Sequence, residues 1–182
     1  MSAPTPRPRR PRNLVLIGFS YTGKSTIARL LARRLGWRSV DADNEVRRQT
    51  GQTPQEIFTE RGEAAFRQIE REVVEAICKR SRQVIATGGG APMDAMNRTQ
   101  LFDGNAVVLL DSSPEAIHQR LVRSGSGERR PLLEDPDPLA RIRELKASRD
   151  PIYRQAHITI DTERLSPAES ADLILRLVNL RS

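Results

Sequence analysis

The sequence predicts an α/β fold: a central, mainly parallel five-stranded sheet with helices on both faces, forming three layers. Three observations predict it. Short apolar runs alternate with segments of helical periodicity along the chain, the pattern of βαβ crossovers. The first run, Leu14-Val15-Leu16-Ile17, is apolar at every position, as in a strand covered on both sides. The length of 182 residues suits one compact core of this kind.

Each element has its own warrant. Gly18 closes the first strand. From Lys24, apolar positions Ile27, Leu30, Leu31 and Leu35 recur at helical spacing, and Gly36 supplies the stop. A short strand ends at Val40 and leads into Asp41. Helical stretches are expected over roughly 43–51, 54–62 and 63–81. Val84-Ile85-Ala86 reads as the third strand, closed by Gly88-Gly89-Gly90. Ala106 to Leu110 is the fourth and Ile158 to Ile160 the fifth, and the last helix runs from about Pro167 to Leu180. There is no internal repeat. Residues 124–138 (SGSGERRPLLEDPDP) are too long and polar for an ordinary connection; they read as a mobile functional loop, with a passive surface insertion as the alternative.

Composition narrows the class. Hydrophobic residues make up 37% and charged residues 29%, as in a water-soluble globular protein, and no apolar run approaches the roughly 20 residues of a membrane span. The first thirteen residues hold four prolines and four arginines, and no apolar signal-type stretch comes before the first strand. That composition speaks against a secretory signal and predicts a disordered basic arm over residues 1–12, ahead of a single domain over 13–182. Of the net charge of +7, Arg7, Arg9, Arg10 and Arg12 supply four, leaving +3 for the folded part. The lone Cys78 excludes an internal disulfide and fits a reducing, cytoplasmic setting. It shares an apolar pattern with Val74 and Ile77, so helix packing is its expected role. His118 and His157 alone do not make a zinc site.

Gly18-Phe19-Ser20-Tyr21-Thr22-Gly23-Lys24-Ser25 matches G-x-x-x-x-G-K-[ST], between a buried strand and an amphipathic helix. The chemistry needs these residues there. Small side chains let successive backbone N–H groups converge on an anion, and the helix start adds free donors and the positive end of its dipole. Gly18, Ser20, Tyr21, Thr22, Gly23, Lys24, Ser25 and Thr26 are thus the candidate nucleotide contacts, with Lys24 reaching the β- and γ-phosphates and the Ser25 hydroxyl available to Mg²⁺. An incidental Gly-rich turn would not need the whole motif in this context. The base-reading N-K-x-D of GTPases is absent, and 182 residues leave little room for transducing domains. A small-molecule phosphotransferase is favoured, and it requires a second, acceptor site.

Further motifs follow in order: Asp41-Ala42-Asp43 after the second strand, Gly62-Glu63-x-x-Phe66-Arg67-x-x-Glu70 opening the long helix, and Gly88-Gly89-Gly90 ending the third strand. Arg130-Pro131-Leu132-Leu133 lies in the polar stretch, and Arg149-x-x-x-Tyr153 comes after it. This ordered set resembles shikimate kinase, from about Asn13 to the C-terminus. The resemblance implies a P-loop kinase fold like that of the nucleoside monophosphate kinases, with a substrate-binding region over about 42–70 and a lid over about 124–136. It implies MgATP-dependent phosphorylation of the 3-hydroxyl of shikimate, a step in aromatic amino-acid biosynthesis, by an enzyme expected to be monomeric.

Carried over by position, Asp43, Arg67, Arg149 and Gly89, the last within the turn of Gly88, Gly89 and Gly90, correspond to shikimate contacts. Arg130 corresponds to the lid arginine that reaches the transferring phosphoryl group, so the catalytic set is Lys24, Asp43 and Arg130. Asp41 joins Ser25 at the Mg²⁺ site, and Arg123 corresponds to the residue packed on adenine, with Pro167 as the opposite wall. These residue types suit the task. Two arginines can clamp a carboxylate through charge-assisted bonds; Asp43 can accept hydrogen bonds from hydroxyls and take the acceptor proton; and a positive group facing the phosphoryl oxygens stabilises their transition-state charge.

Simpler roles stand beside these. Asp41 and Asp43 would also serve as a strand-end turn and helix cap, and Arg67 and Arg149 as solvated helix residues. Another small kinase, for gluconate or a nucleoside monophosphate, is the nearest alternative, but two spaced arginines with D-x-D and three glycines suit a compact carboxylated polyol better than a nucleobase. A nucleic-acid-binding protein using the basic arm is more remote, since aromatic residues are only 4% and no stacking platform is evident. One departure stands out. The family pattern has a further glycine in the loop where this chain has Tyr21, and a bulky residue there disfavours positive φ. Binding is expected to survive with some change in loop fit.

Overall fold

A computed structural model describes residues 8, 10–124 and 135–178. Five strands, β1 (Leu14–Ile17), β2 (Arg38–Asp41), β3 (Gln83–Ala86), β4 (Ala106–Asp111) and β5 (Ile158–Asp161), form one sheet in the order β2-β3-β1-β4-β5. Every pairing is parallel. The helices are α1 (Lys24–Leu35), α2 (Ala42–Thr50), α3 (Pro54–Cys78), α4 (Ala95–Phe102), α5 (Pro114–Arg123), α6 (Pro138–Tyr153) and α7 (Pro167–Val178), with a short 3-10 turn at Ala91–Met93.

The apolar run of β1 is fully buried, and its alternate side chains enter different halves of the core. Leu14 and Leu16 pack with α1 and α7, among Ile27, Leu31 and Ile174. Val15 and Ile17 pack on the other face with Val73, Val74 and Ile77 of α3 and Ile142 of α6. Successive strand side chains point to opposite faces, so a strand inside a three-layer domain has to be apolar throughout.

The helical stretch expected to divide at residue 62 does so within α3. Gly62 sits at φ 79°, ψ 171° inside the helix, a backbone geometry open to glycine. Thr53 and Glu56 form a reciprocal capping box at the start of α3. The helix ends at Cys78, three residues short of the expected stop. Part of the basic arm also belongs to the folded body. Arg12 N–H donates to the Gly104 carbonyl at 2.8 Å, its guanidinium to the Asp103 carbonyl at 2.8 Å, and Pro11 is buried. Residues 1–7 and 9, and with them Arg7 and Arg9, lie outside the described residues. So do Arg130 and most of the segment expected to form the lid.

In a parallel sheet every strand ends on the same edge. The order β2-β3-β1 sets the segments following those strands side by side, and the crevice beyond the carboxyl ends is the usual ligand site of such sheets.

Candidate active site

β1 leads into the phosphate loop, and α1 begins at Lys24. Gly23 caps α1 in a left-handed conformation without any side-chain cap, and the first turn carries no acidic residue. The other six helices each start with a capping side chain: Asp41, Thr53, Asp94, Ser113, Asp137 and Ser166. The first-turn N–H groups of α1 are therefore left for an anion. Lys24 is buried, and its Nζ donates to the carbonyls of Gly18 at 2.9 Å and Phe19 at 2.6 Å. The Thr22 hydroxyl donates to Phe19 at 2.8 Å inside the loop. Gly18 and Thr22 thus shape the loop, while Ser20, Tyr21, Gly23, Lys24, Ser25 and Thr26 line the cleft.

Asp41 does two things at once. Its Oδ1 caps α2 by accepting from the N–H groups of Asp43 at 3.1 Å and Asn44 at 3.3 Å. Its Oδ2 accepts from the Ser25 hydroxyl at 2.5 Å. One oxygen thus serves the helix cap, and the other ties the end of β2 to the start of α1. A hydroxyl and a carboxylate beside a phosphate loop make a hard oxygen donor set that fits Mg²⁺, which takes few protein ligands and completes its shell with water and phosphate. No group of three or more His, Cys, Asp or Glu with metal-site geometry exists among the described residues.

Asp43, Thr87, Gly88 and Gly89 line the other side of the same cleft. The turn after β3 is packed so closely that added methyl groups report its neighbours. A Cβ on Gly88 would stand 2.9 Å from Asp43 Oδ1 and 3.4 Å from Glu70 Oε1. One on Gly90 would stand 3.0 Å from both terminal nitrogens of Arg67. One on Gly89 would lie 3.5 Å from each of Arg149 Nη1, the Gly18 carbonyl and Ser20 N. The three glycines therefore bring together Asp43, Arg67, Arg149 and the phosphate loop. Gly88→Ala is expected to lower kcat by about 10²-fold, the order of effect of an ångström-scale misplacement of a reacting group, with little change in Tm. The crowded neighbours are the ends of flexible carboxylates, so the fold absorbs the methyl while Asp43 is displaced. Parallel measurement of kcat and Tm checks it; a large fall in Tm would contradict it.

Both arginines are held from behind. Arg67 donates to Glu70 Oε2 at 2.8 Å and to Glu63 Oε1 at 3.2 and 3.3 Å. Burial works against its charge, but these carboxylates more than offset that and raise its pKa. Glu70 is almost fully buried, and burial pushes its pKa up against the opposing pull of Arg67. The Arg149 guanidinium carbon lies 5.2 Å from the ring centroid of Phe19, a cation–π contact between α6 and the phosphate loop. One turn on, the buried Tyr153 hydroxyl donates to the Gly89 carbonyl at 2.6 Å, and burial raises its pKa.

The two residues expected to flank adenine are more open. Arg123 is exposed at the end of α5, and Pro167 is exposed at the start of α7. Cys78 is buried, and burial pushes its thiol up to about 12, so it is an inert packing residue. His157 Nδ1 accepts from the Val107 N–H at 2.8 Å, which is a structural role.

Sequence reasoning placed Phe19, Glu70 and Tyr153 in motifs without giving them a role, and did not single out Thr87 or Arg120. Glu70 had a signal, a carboxylate three residues after Arg67 on the apolar side of α3. Tyr153 had one too, standing four residues after Arg149. Thr87, Phe19 and Arg120 act through contacts across the sheet edge and had none.

Comparison with known proteins identifies the family. The chain matches the family model described as shikimate kinase over residues 21–179. The shikimate kinase of Thermodesulfovibrio yellowstonii is 41% identical over 165 residues, covering 91% of this chain and 94% of the relative. That of Symbiobacterium thermophilum is 46% identical over 155 residues, covering 85% and 88%. Among solved structures, shikimate kinase from Acinetobacter baumannii in complex with shikimate superposes with a TM-score of 0.87 at 39% identity, covering 93% of each chain.

Proposed function

The chain belongs to the shikimate kinase family, its reaction is the ATP-dependent phosphorylation of shikimate, and we propose that the cleft between the phosphate loop and Asp43 is where it takes place. The observation that carries this is Gly89. Its position is within contact distance of both Ser20 N and Arg149 Nη1, so the donor and acceptor halves of the site share one wall.

In the proposed arrangement, Arg67 and Arg149 bind the shikimate carboxylate, and the turn at Gly88–Gly90 lets the ring lie close to the backbone. The Asp43 carboxylate accepts a hydrogen bond from the 3-hydroxyl and takes its proton as the oxygen attacks the γ-phosphorus. The bond to the ADP oxygen breaks as the new one forms, and the proton passes from Asp43 to solvent. Lys24 and the N–H groups at the start of α1 face the equatorial oxygens, where transition-state charge accumulates. Ser25 and Asp41 would hold the Mg²⁺ that accompanies ATP, which supplies charge neutralisation at the β- and γ-oxygens. Arg123 and Pro167 flank the adenine. Arg130 adds a further positive group at the phosphoryl oxygens; its assignment rests on the family motif alone.

A cytoplasmic, monomeric enzyme is part of the same proposal, and a lone, buried cysteine fits a reducing compartment. The test is ADP release in a coupled assay with MgATP against shikimate, gluconate and nucleoside monophosphates. Release that depends on shikimate alone is the expected result. Absence of shikimate-dependent release would defeat the substrate assignment.

A further inference from the structure

Tyr21 adopts φ 64° in the phosphate loop, the left-handed region that a tyrosine resists. Only Arg82 shares this property among the described non-glycine residues. Something has to hold the loop there. Part of the answer is packing, since the Tyr21 side chain lies against the larger apolar cluster. The rest is Arg120, on α5 one turn before Arg123. Its Nη1 donates to the Tyr21 carbonyl at 3.2 Å and to Thr162 Oγ1 at 3.3 Å. Its Nη2 donates to the Thr162 carbonyl at 2.5 Å.

The far anchor of this bridge is rigid. Thr162 is buried, and both its N–H and its hydroxyl donate to the Asp111 carbonyl at 2.9 Å. It therefore belongs to the paired ends of β4 and β5. Arg120 forms no ion pair with a described residue, and its charge stands beside the loop. The planar fork of a guanidinium can span two carbonyls, which an ammonium cannot do in the same fixed geometry.

We infer that Arg120 is a positioning residue of the nucleotide site, fixing the Tyr21 carbonyl so that the loop keeps its N–H groups directed at the phosphates despite a tyrosine at a positive-φ position. This rests on the phosphate-loop reading of residues 18–25. It makes a specific claim about coupling. Glycine adopts positive φ without steric cost, so the work of Arg120 is needed because residue 21 is Tyr.

The experiment is a double-mutant cycle read by calorimetric ADP affinity, with KM values for MgATP and shikimate alongside. Arg120→Met in the parent protein is expected to weaken ADP binding and raise the MgATP KM by about tenfold, the scale of one lost charge-assisted hydrogen bond, while the shikimate KM stays nearly constant. In a Tyr21→Gly background, the same Arg120→Met change is expected to cost much less, a non-additivity that a residue acting on the loop by charge alone would not produce. Arg120→Lys keeps the charge without the bridge and is expected to follow Arg120→Met in both backgrounds, which keeps the test available if Arg120→Met does not fold. Equal losses in the two backgrounds, unchanged ADP affinity, or equal rises in both KM values would each overturn the inference. Failure of the parent protein to bind ADP would instead overturn the phosphate-loop reading itself.

Discussion

Asp43→Asn lowers kcat by about 10²–10⁴-fold, the usual range for loss of a positioned general base, and leaves MgATP affinity little changed. The amide still accepts a hydrogen bond from a hydroxyl but cannot take its proton, so kcat should fall further than the shikimate KM rises. The position supports the selectivity of the effect. Asp43 is in the first turn of α2 and lines the cleft. The cap of that helix is Asp41, which accepts from the Asp43 backbone N–H and not from its side chain. The substitution therefore leaves the Asp41 cap in place. Steady-state kinetics together with a melting curve decide it. Near-normal turnover in a variant that melts like the parent would remove Asp43 from the proton path.

Gly18→Ala is expected to have the largest effect on stability, a loss of about 3 kcal/mol or more from strained backbone and a steric clash together, seen as a fall in Tm on the order of 10 °C. Gly18 has φ 137°, and an added Cβ would stand 2.3 Å from the Leu110 carbonyl oxygen. Leu110 is fully buried in β4, which pairs with β1 through Ile17 and Leu109. The methyl group can be admitted only by prising apart the two central strands. The contrast with Gly88→Ala is physical. There the obstructing atoms are the ends of carboxylate side chains, so function suffers before stability. Thermal and chemical denaturation of both variants would establish the difference, and a Gly18→Ala protein melting within a degree or two of the parent would refute it.

What could be read from the sequence was what short stretches of chain decide for themselves. A four-residue apolar run has only one way to be buried, so β1 follows from composition. Glycine and lysine at set positions between a strand and a helix leave backbone donors nothing else to bind, so the phosphate loop follows from spacing. Gly62 breaks its helix because no side chain competes with the turn. Asp41 and Asp43 stand at the strand end that borders the cleft, and the helix cap expected of Asp41 is there.

The tertiary structure decided which of the remaining charges face one another. In a chain with 30 Lys and Arg residues, sequence reasoning does not separate a clamped arginine from a solvated one, because the deciding partners, Glu70 apart, sit tens of residues away. Arg67 gains its identity from Glu70 and the turn at Gly90, Arg149 from Phe19 and Gly89, and Arg120 from Tyr21 and Thr162. Tyr21 shows the division most sharply. Local sterics disfavour positive φ there, and the fold imposes it by packing the ring and bonding the carbonyl. The sequence by itself determined that this protein has a phosphate loop and on which strand it ends. Only the folding of three parallel strand ends side by side set that loop in one cleft with Asp43 and Gly89, since contacts across a sheet edge depend on strand order, and strand order is not a local property of the chain.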